Sequence, residues 1–252
     1  MSERIVRRGC LESLCRPKLT VIVPVYNERK TVLTVLNNVV NLPVLKEIIV
    51  VDNCSTDGTR ELLKWFAENW QPNELTVRLE VVFQPRNMLK GTSVKLGINM
   101  AEGEYLVVQD ADLEYDPHDI IRLLECAECT GALAVFGSRV LGRRADKSPL
   151  NLYALGRCFL SYLFRVLYGA NITDVATCYK LMRSDVAKGL RLRSKGFELD
   201  FEIPALLRLK GVEIIELPIS YKPRSVFEGK KLRPWDGLKA VYVMLLCRVR
   251  GA

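Results

Sequence analysis

The chain has 252 residues, of which 49% are hydrophobic and 26% charged, and carries a formal net charge of +8. This length and composition fit one large α/β domain with a full core, or one domain with a C-terminal extension, and exclude a disordered chain. A single histidine, His118, and eight scattered cysteines fit reduced thiols and give no disulfide framework.

Residues 1–18 are basic and weakly patterned, and a flexible arm is expected there. "LTVIVPV" (Leu19–Val25) predicts a buried strand, and "NERKTVLTVLNNVV" after it has helical apolar spacing. "EIIVVD" (Glu47–Asp52) predicts a second strand, followed by "NCSTDGT" and a helix from Arg60 to Asn69. The same alternation returns in "LTVRLEVVFQ" before the helix of "GTSVKLGINMA", and in "EYLVVQD" before an acidic cluster. Strands alternating with helices predict an α/β fold, a doubly wound and mostly parallel sheet covered by helices on both faces. Later, "ALAVFGS" predicts a strand ending at Ser138–Arg139, and "NITDVATCYKLMRSDV" holds a short strand. Ser194–Lys210 is a loop and helix, and "VEIIELPISY" is a last strand. The domain is expected to span 19–224. A basic tail, 225–252, would supply a lid and a terminal helix.

From Arg183 to Ala252 there are 15 Lys and Arg against 8 Asp and Glu, a balance of +7. A basic surface suits nucleic acid, anionic lipid or a phosphorylated substrate. No recognition motif and no interleaved aromatics accompany it, so nucleic acid is not expected. Leu150–Leu167 is apolar and aromatic, interrupted by Arg157 and Arg165, and falls short of the roughly 18 uninterrupted apolar residues of a spanning helix. It reads as a core helix, a helix in a membrane interface, or the wall of an apolar acceptor groove. Cys126 and Cys129 have redox or zinc spacing, but without a second pair they read as incidental thiols.

The acidic cluster is Asp110, Asp112, Glu114 and Asp116, and it ends a hydrophobic strand. Residues two apart share a strand face, so Asp110 and Asp112 repel one another unless a cation sits between them. Magnesium or manganese takes such oxygen ligands and shares its shell with phosphates; the bland alternative is a solvated acidic turn. Pro24, Tyr26, Asn27, Glu28 and Asp52 fall at the same carboxyl edge, where ligands bind in sheets of this kind.

Four segments occur in order over roughly Leu19 to Arg224: "VIVPVYNE", "VVDNCSTDGT", "NMLKGTSVKLGINMAEGEYLVVQDADLEYDP" and "GSR". Together they resemble an inverting family 2 glycosyltransferase with a GT-A (Rossmann-like) fold, nearest the dolichol-phosphate mannose synthase-like enzymes. Many relatives carry "GKG" where this chain has Leu89-Lys90-Gly91, and the transmembrane hairpins of some members are missing. The resemblance implies a UDP- or GDP-sugar donor with its base and ribose near Pro24, Tyr26, Glu28 and Asp52, and Lys90 near its phosphates or ribose. Asp110 and Asp112 would hold the metal against the diphosphate, with Glu114 as a further ligand. Asp57 reads as a helix cap. A polyprenyl phosphate acceptor needs cations, and Arg139, Arg224, Lys230, Lys231 and Arg233 suit it. Arg143 and Arg144 lie just upstream of the apolar helix. A hydroxyl acceptor would instead need a base, for which Glu198, Asp200 and Glu202 are candidates; otherwise they are helix N-terminal charge. The implied location is the cytoplasmic face of a membrane, held peripherally. The rival class is a silent nucleotide-sugar-binding or scaffold protein.

Overall fold

The computed structural model describes residues 2–9, 16–71, 73–141, 152–224 and 234–251. Four parallel strands occupy the middle of the sheet: β2 (Leu19–Val25), β3 (Lys46–Asp52), β4 (Thr76–Phe83) and β5 (Tyr105–Val108), in the order β4-β3-β2-β5. Nearly all their residues are buried. Successive side chains point to opposite faces, so both faces are covered. Helices α1 (Val32–Val40), α2 (Thr59–Asn69), α3 (Lys90–Met100) and α4 (Asp119–Thr130) follow these strands in turn. Each buries an apolar stripe; in α1 it is Val32, Val35, Leu36 and Val39, worth about 1.5–3 kcal/mol per side chain. α3 lies so close to the sheet that a side chain at Gly97 would run into Ile22.

β6 (Ala134–Ser138), β7 (Lys180–Arg183) and β8 (Ile215–Pro218) extend the sheet beyond β5, with β7 antiparallel to both β5 and β6. The full order is β1-β4-β3-β2-β5-β7-β6-β8. β1 is Glu3–Arg8, antiparallel to β4. This corrects the expected flexible arm at 1–18. Ile5 packs against the core, Arg4 pairs with Glu80, and Arg7 Nε donates to the Ala67 carbonyl at 2.9 Å. The described residues are completed by α5 (Leu152–Tyr168), α6 (Ser184–Lys188), α7 (Leu199–Leu209) and α8 (Pro234–Arg250), the expected terminal helix.

Candidate active site

β2 and β3 pair from Leu19 opposite Lys46 to Val25 opposite Asp52, so their loops leave from one edge. Those loops are stitched together. The Asn27 N–H donates to Ser55 Oγ (2.9 Å), the Thr56 N–H to Asn27 Oδ1 (2.8 Å), and the Glu28 N–H to Thr59 Oγ1 (3.0 Å). Asn27 and Cys54 have positive φ, 51° and 62°, a strained choice that these bonds hold in place. Asn53 adds the next loop, its Nδ2 donating to Asn87 Oδ1 and its Oδ1 accepting from the Met88 N–H.

Pro24 and Tyr26 are half-buried at the end of β2. Asp52 differs from expectation. Its side chain is 0% exposed, accepts the Ser55 N–H and pairs with Arg60 at 3.4 Å, so it braces the loop and offers no surface to a ribose. Asp57, expected to cap the helix, lies one residue before the Gly58 N-cap of α2 and instead joins the two loops by holding the N–H groups of Arg29 and Thr59.

The acidic loop after β5 is tied to α1 by Thr31 Oγ1, which donates to the Ala111 carbonyl at 2.7 Å. Asp110 receives Lys90 Nζ on both oxygens, at 2.8 and 3.1 Å. Burial works against the Lys90 charge, yet Asp110 and Asp200 hold its pKa well above the usual lysine value. Among the described residues Asp112 meets no such partner; its Oδ1 accepts the Glu114 N–H at 3.2 Å. Burial, then Asp110 and Glu114, push its carboxyl up to about 7 against the opposing pull of Arg224. Two carboxylates with one poorly compensated fit a hard cation through oxygen donors alone. Among the described residues no group of three or more His, Cys, Asp or Glu side chains is gathered for a metal.

Glu114, expected as a third ligand, instead fastens the chain after β8: it accepts from Tyr221 Oη (2.9 Å) and the Arg224 N–H (2.8 Å). Arg224, expected on acceptor phosphate, forks onto Glu28 at 3.2 and 2.9 Å and reaches the Asp112 carbonyl. Glu28, expected on the nucleotide, is therefore held by Arg224 and Thr31. The reason is shared: a carboxylate near the floor of this edge, Glu28 being 9% exposed, needs a cation from its own chain. Arg139 likewise grips buried Asp174 at 2.6 and 2.8 Å and lies over the rings of Tyr115 and Tyr221.

Of the three base candidates only Asp200 meets the cluster, 3.6 Å from both Lys90 and Lys180. Glu198 accepts the N–H groups of Lys195 and Gly196, and Glu202 those of Arg193 and Ser194, which corrects both to loop supports. Lys180 went unforeseen; the signal was a lysine inside the apolar run "CYKLM". Arg143, Arg144, Lys230, Lys231 and Arg233 lie outside the described residues, as does most of the expected lid.

Beside Arg139 and Asp174 lies α5, whose Ser161 Oγ accepts the Val175 N–H at 3.2 Å. α5 buries Phe164 and Tyr168 but exposes Leu155, Phe159, Tyr162 and Val166. α8, joined to it by Tyr168 Oη donating to the Met244 carbonyl, exposes Trp235, Leu238, Tyr242 and Val249. Each of these two helices thus carries an exposed apolar stripe. Among the described residues no helix is long and apolar enough to cross a membrane.

Residues 20–191 match the model of glycosyl transferase family 2. The chain belongs to that family. It is 29% identical to a dolichol-phosphate mannosyltransferase of Pyrococcus furiosus, over 84% of this chain and 59% of that protein. It is 28% identical to the low-salt glycan biosynthesis hexosyltransferase Agl6 of Haloferax volcanii, over 91% of this chain and 54% of that protein. The chain therefore spans little more than half the length of these two relatives. Among solved structures, glucosyl-3-phosphoglycerate synthase of Mycobacterium tuberculosis with UDP superposes with a TM-score of 0.64 at 17% identity, covering 92% of this chain and 80% of that one. S. aureus TarS with UDP-GlcNAc gives 0.60 at 18% identity, covering 91% and 66%. At these identities the likeness concerns the fold, which is the expected GT-A one. In this family 2 chain the matched region runs from β2 to the residues just past α6, so it includes the whole acidic loop.

Proposed function

We propose that this family 2 chain is an inverting, metal-dependent glycosyltransferase that moves a sugar from a UDP- or GDP-sugar to a polyprenyl phosphate, working peripherally on the cytoplasmic face of a membrane. The observation that carries the reading is the pair Asp110 and Asp112 at the carboxyl edge of the sheet, with Asp112 left among carboxylates. Asp110 and Asp112 would hold magnesium or manganese, which acts there as a Lewis acid toward the leaving diphosphate. The end of β2 at Pro24 and the cross-braced loops carrying Tyr26 and Asn53 would form the floor for the nucleoside. Lys90 brings positive charge from the first residue of α3 to the same place.

The carboxylates favour a phosphate acceptor. Glu198 and Glu202 are consumed by backbone N–H groups and Asp200 is flanked by two ammonium groups, which suits none of them to take a proton from a hydroxyl. A phosphate monoester has a second pKa of about 6 and is already mostly a dianion at neutral pH. It needs fixed positive potential. Arg139 and Arg224 offer guanidinium donors at this edge with their charges offset by Asp174 and Glu28, and Lys230 and Lys231, which would add net charge, follow in the chain. The apolar face of α5 and α8 supports the lipid part of the reading, as do the relatives whose names carry dolichol-phosphate.

The test is a panel of UDP- and GDP-sugars with manganese and a short polyprenyl phosphate, following release of the nucleoside diphosphate. Release that requires both manganese and the lipid phosphate is expected. Turnover with a soluble hydroxyl acceptor and none with the lipid phosphate would overturn the acceptor assignment.

A further inference from the structure

We infer that Asp200 is the second seat of the Lys90 ammonium: when Asp110 takes up a cation, Lys90 turns to Asp200, which Lys180 keeps in place. The inference rests on Asp110 and Asp112 being the cation site.

Four charges from four separate elements alternate here. Asp110 follows β5, Lys90 opens α3, Asp200 lies in the first turn of α7, and Lys180 opens β7. All four side chains are largely enclosed, at 21%, 17%, 20% and 2% exposure in that order. Lys90 Nζ is unevenly shared: 2.8 Å from Asp110 but 3.6 Å from Asp200. An ammonium on both oxygens of Asp110 competes with any metal for the same lone pairs. Displacing it into an enclosed site with no other carboxylate would strand a charge, which costs several kcal/mol.

Asp200 removes that obstacle. Closing the separation from 3.6 Å to the 2.8 Å now kept with Asp110 completes the exchange. The Phe197 ring, 5.6 Å from Nζ, offers its face along the way. Lys180 is anchored by the Thr177 carbonyl and the Phe136 ring and holds Asp200 from its other side. Asp200 is thus a positioning residue that acts through Lys90.

Manganese binding, read from the signal of the free ion with UDP and in parallel with GDP, tests this apart from turnover. Asp200→Asn should weaken manganese binding on the order of tenfold, because Lys90 then has Asp110 alone. In a Lys90→Met background the same substitution should do nothing. If Asp200→Asn disturbs folding by isolating Lys180, the charge-balanced pair Asp200→Asn with Lys180→Met reads the same quantity. Equal weakening with and without Lys90 would make Asp200 a direct ligand and overturn the inference, as would no weakening at all. A parent protein that binds no manganese with either nucleotide would sink the cation site itself, and this inference with it.

Discussion

Replacing Arg139 by methionine removes the partner of a carboxylate with 0% exposure. Arg139 Nε and Nη2 meet the two oxygens of Asp174 at 2.6 and 2.8 Å, and the Arg139 N–H adds a contact of 3.1 Å. Breaking a buried pair from one side costs about 3–5 kcal/mol, which in a domain of this size lowers Tm by roughly 6–20 °C. Removing both charges, as Arg139→Met with Asp174→Asn, is close to neutral for such pairs and should restore most of that loss. Urea unfolding gives the stabilities, and transfer kinetics on the same three proteins separate the two roles of Arg139. We expect the double variant to be stable, to keep its donor KM, and to show a raised KM for the lipid phosphate. A single variant melting within about 2 °C of the parent would refute the structural half. A stable double variant with parental acceptor KM would refute the acceptor half.

Lys46 is fully buried, donates to the carbonyls of Leu42 and Val44, and burial lowers its pKa to about 8. The unfolded chain keeps that proton to a higher pH, so stability should rise between pH 8 and pH 10, by up to about 3 kcal/mol from this group; unfolding at both pH values should show the rise in the parent and its loss in Lys46→Met. Asp112→Asn should reduce manganese-dependent release of nucleoside diphosphate at least about 100-fold without lowering Tm in metal-free buffer, since a carboxylate crowded by Asp110 and Glu114 is removed. Phe159→Glu and Tyr242→Glu, on exposed faces of α5 and α8, should each weaken flotation with anionic vesicles about tenfold or more, and unchanged flotation would count against the membrane face.

The middle of the sheet was legible because β2 to β5 are buried on both faces and write that burial as unbroken apolar runs. β1 was not. "ERIVRR" carries one residue packed on the core and takes its shape from pairing with β4, 70 to 80 residues away in sequence. The acidic loop was legible as a site because four carboxylates crowd a strand end with no lysine or arginine among them. Their actual partners were hidden by distance along the chain: Lys90 reaches Asp110 across 20 residues, and Tyr221 reaches Glu114 across 107. A sequence shows which charges are present and says little about which of them fold into pairs. That is why Glu28, Asp52, Glu114 and Arg224 were expected on ligands and are found on one another or on nearby backbone.

Those pairings isolate one group. Among the carboxylates described at this edge, Asp52 has Arg60, Glu28 has Arg224, Asp110 has Lys90, and Asp200 has two lysines. Glu114 is satisfied by a hydroxyl and a backbone N–H. Asp112 alone in this set faces carboxylates, with Arg224 near enough to lower its pKa but already engaged by Glu28. A fold that compensates every neighbour has the local means to compensate this one as well. Leaving it unmet lowers stability at one residue and creates a strong preference for an incoming cation at the same point. On the proposed reading the edge is therefore braced and neutralised where a nucleoside would rest, and unbalanced where a diphosphate and its cation would arrive.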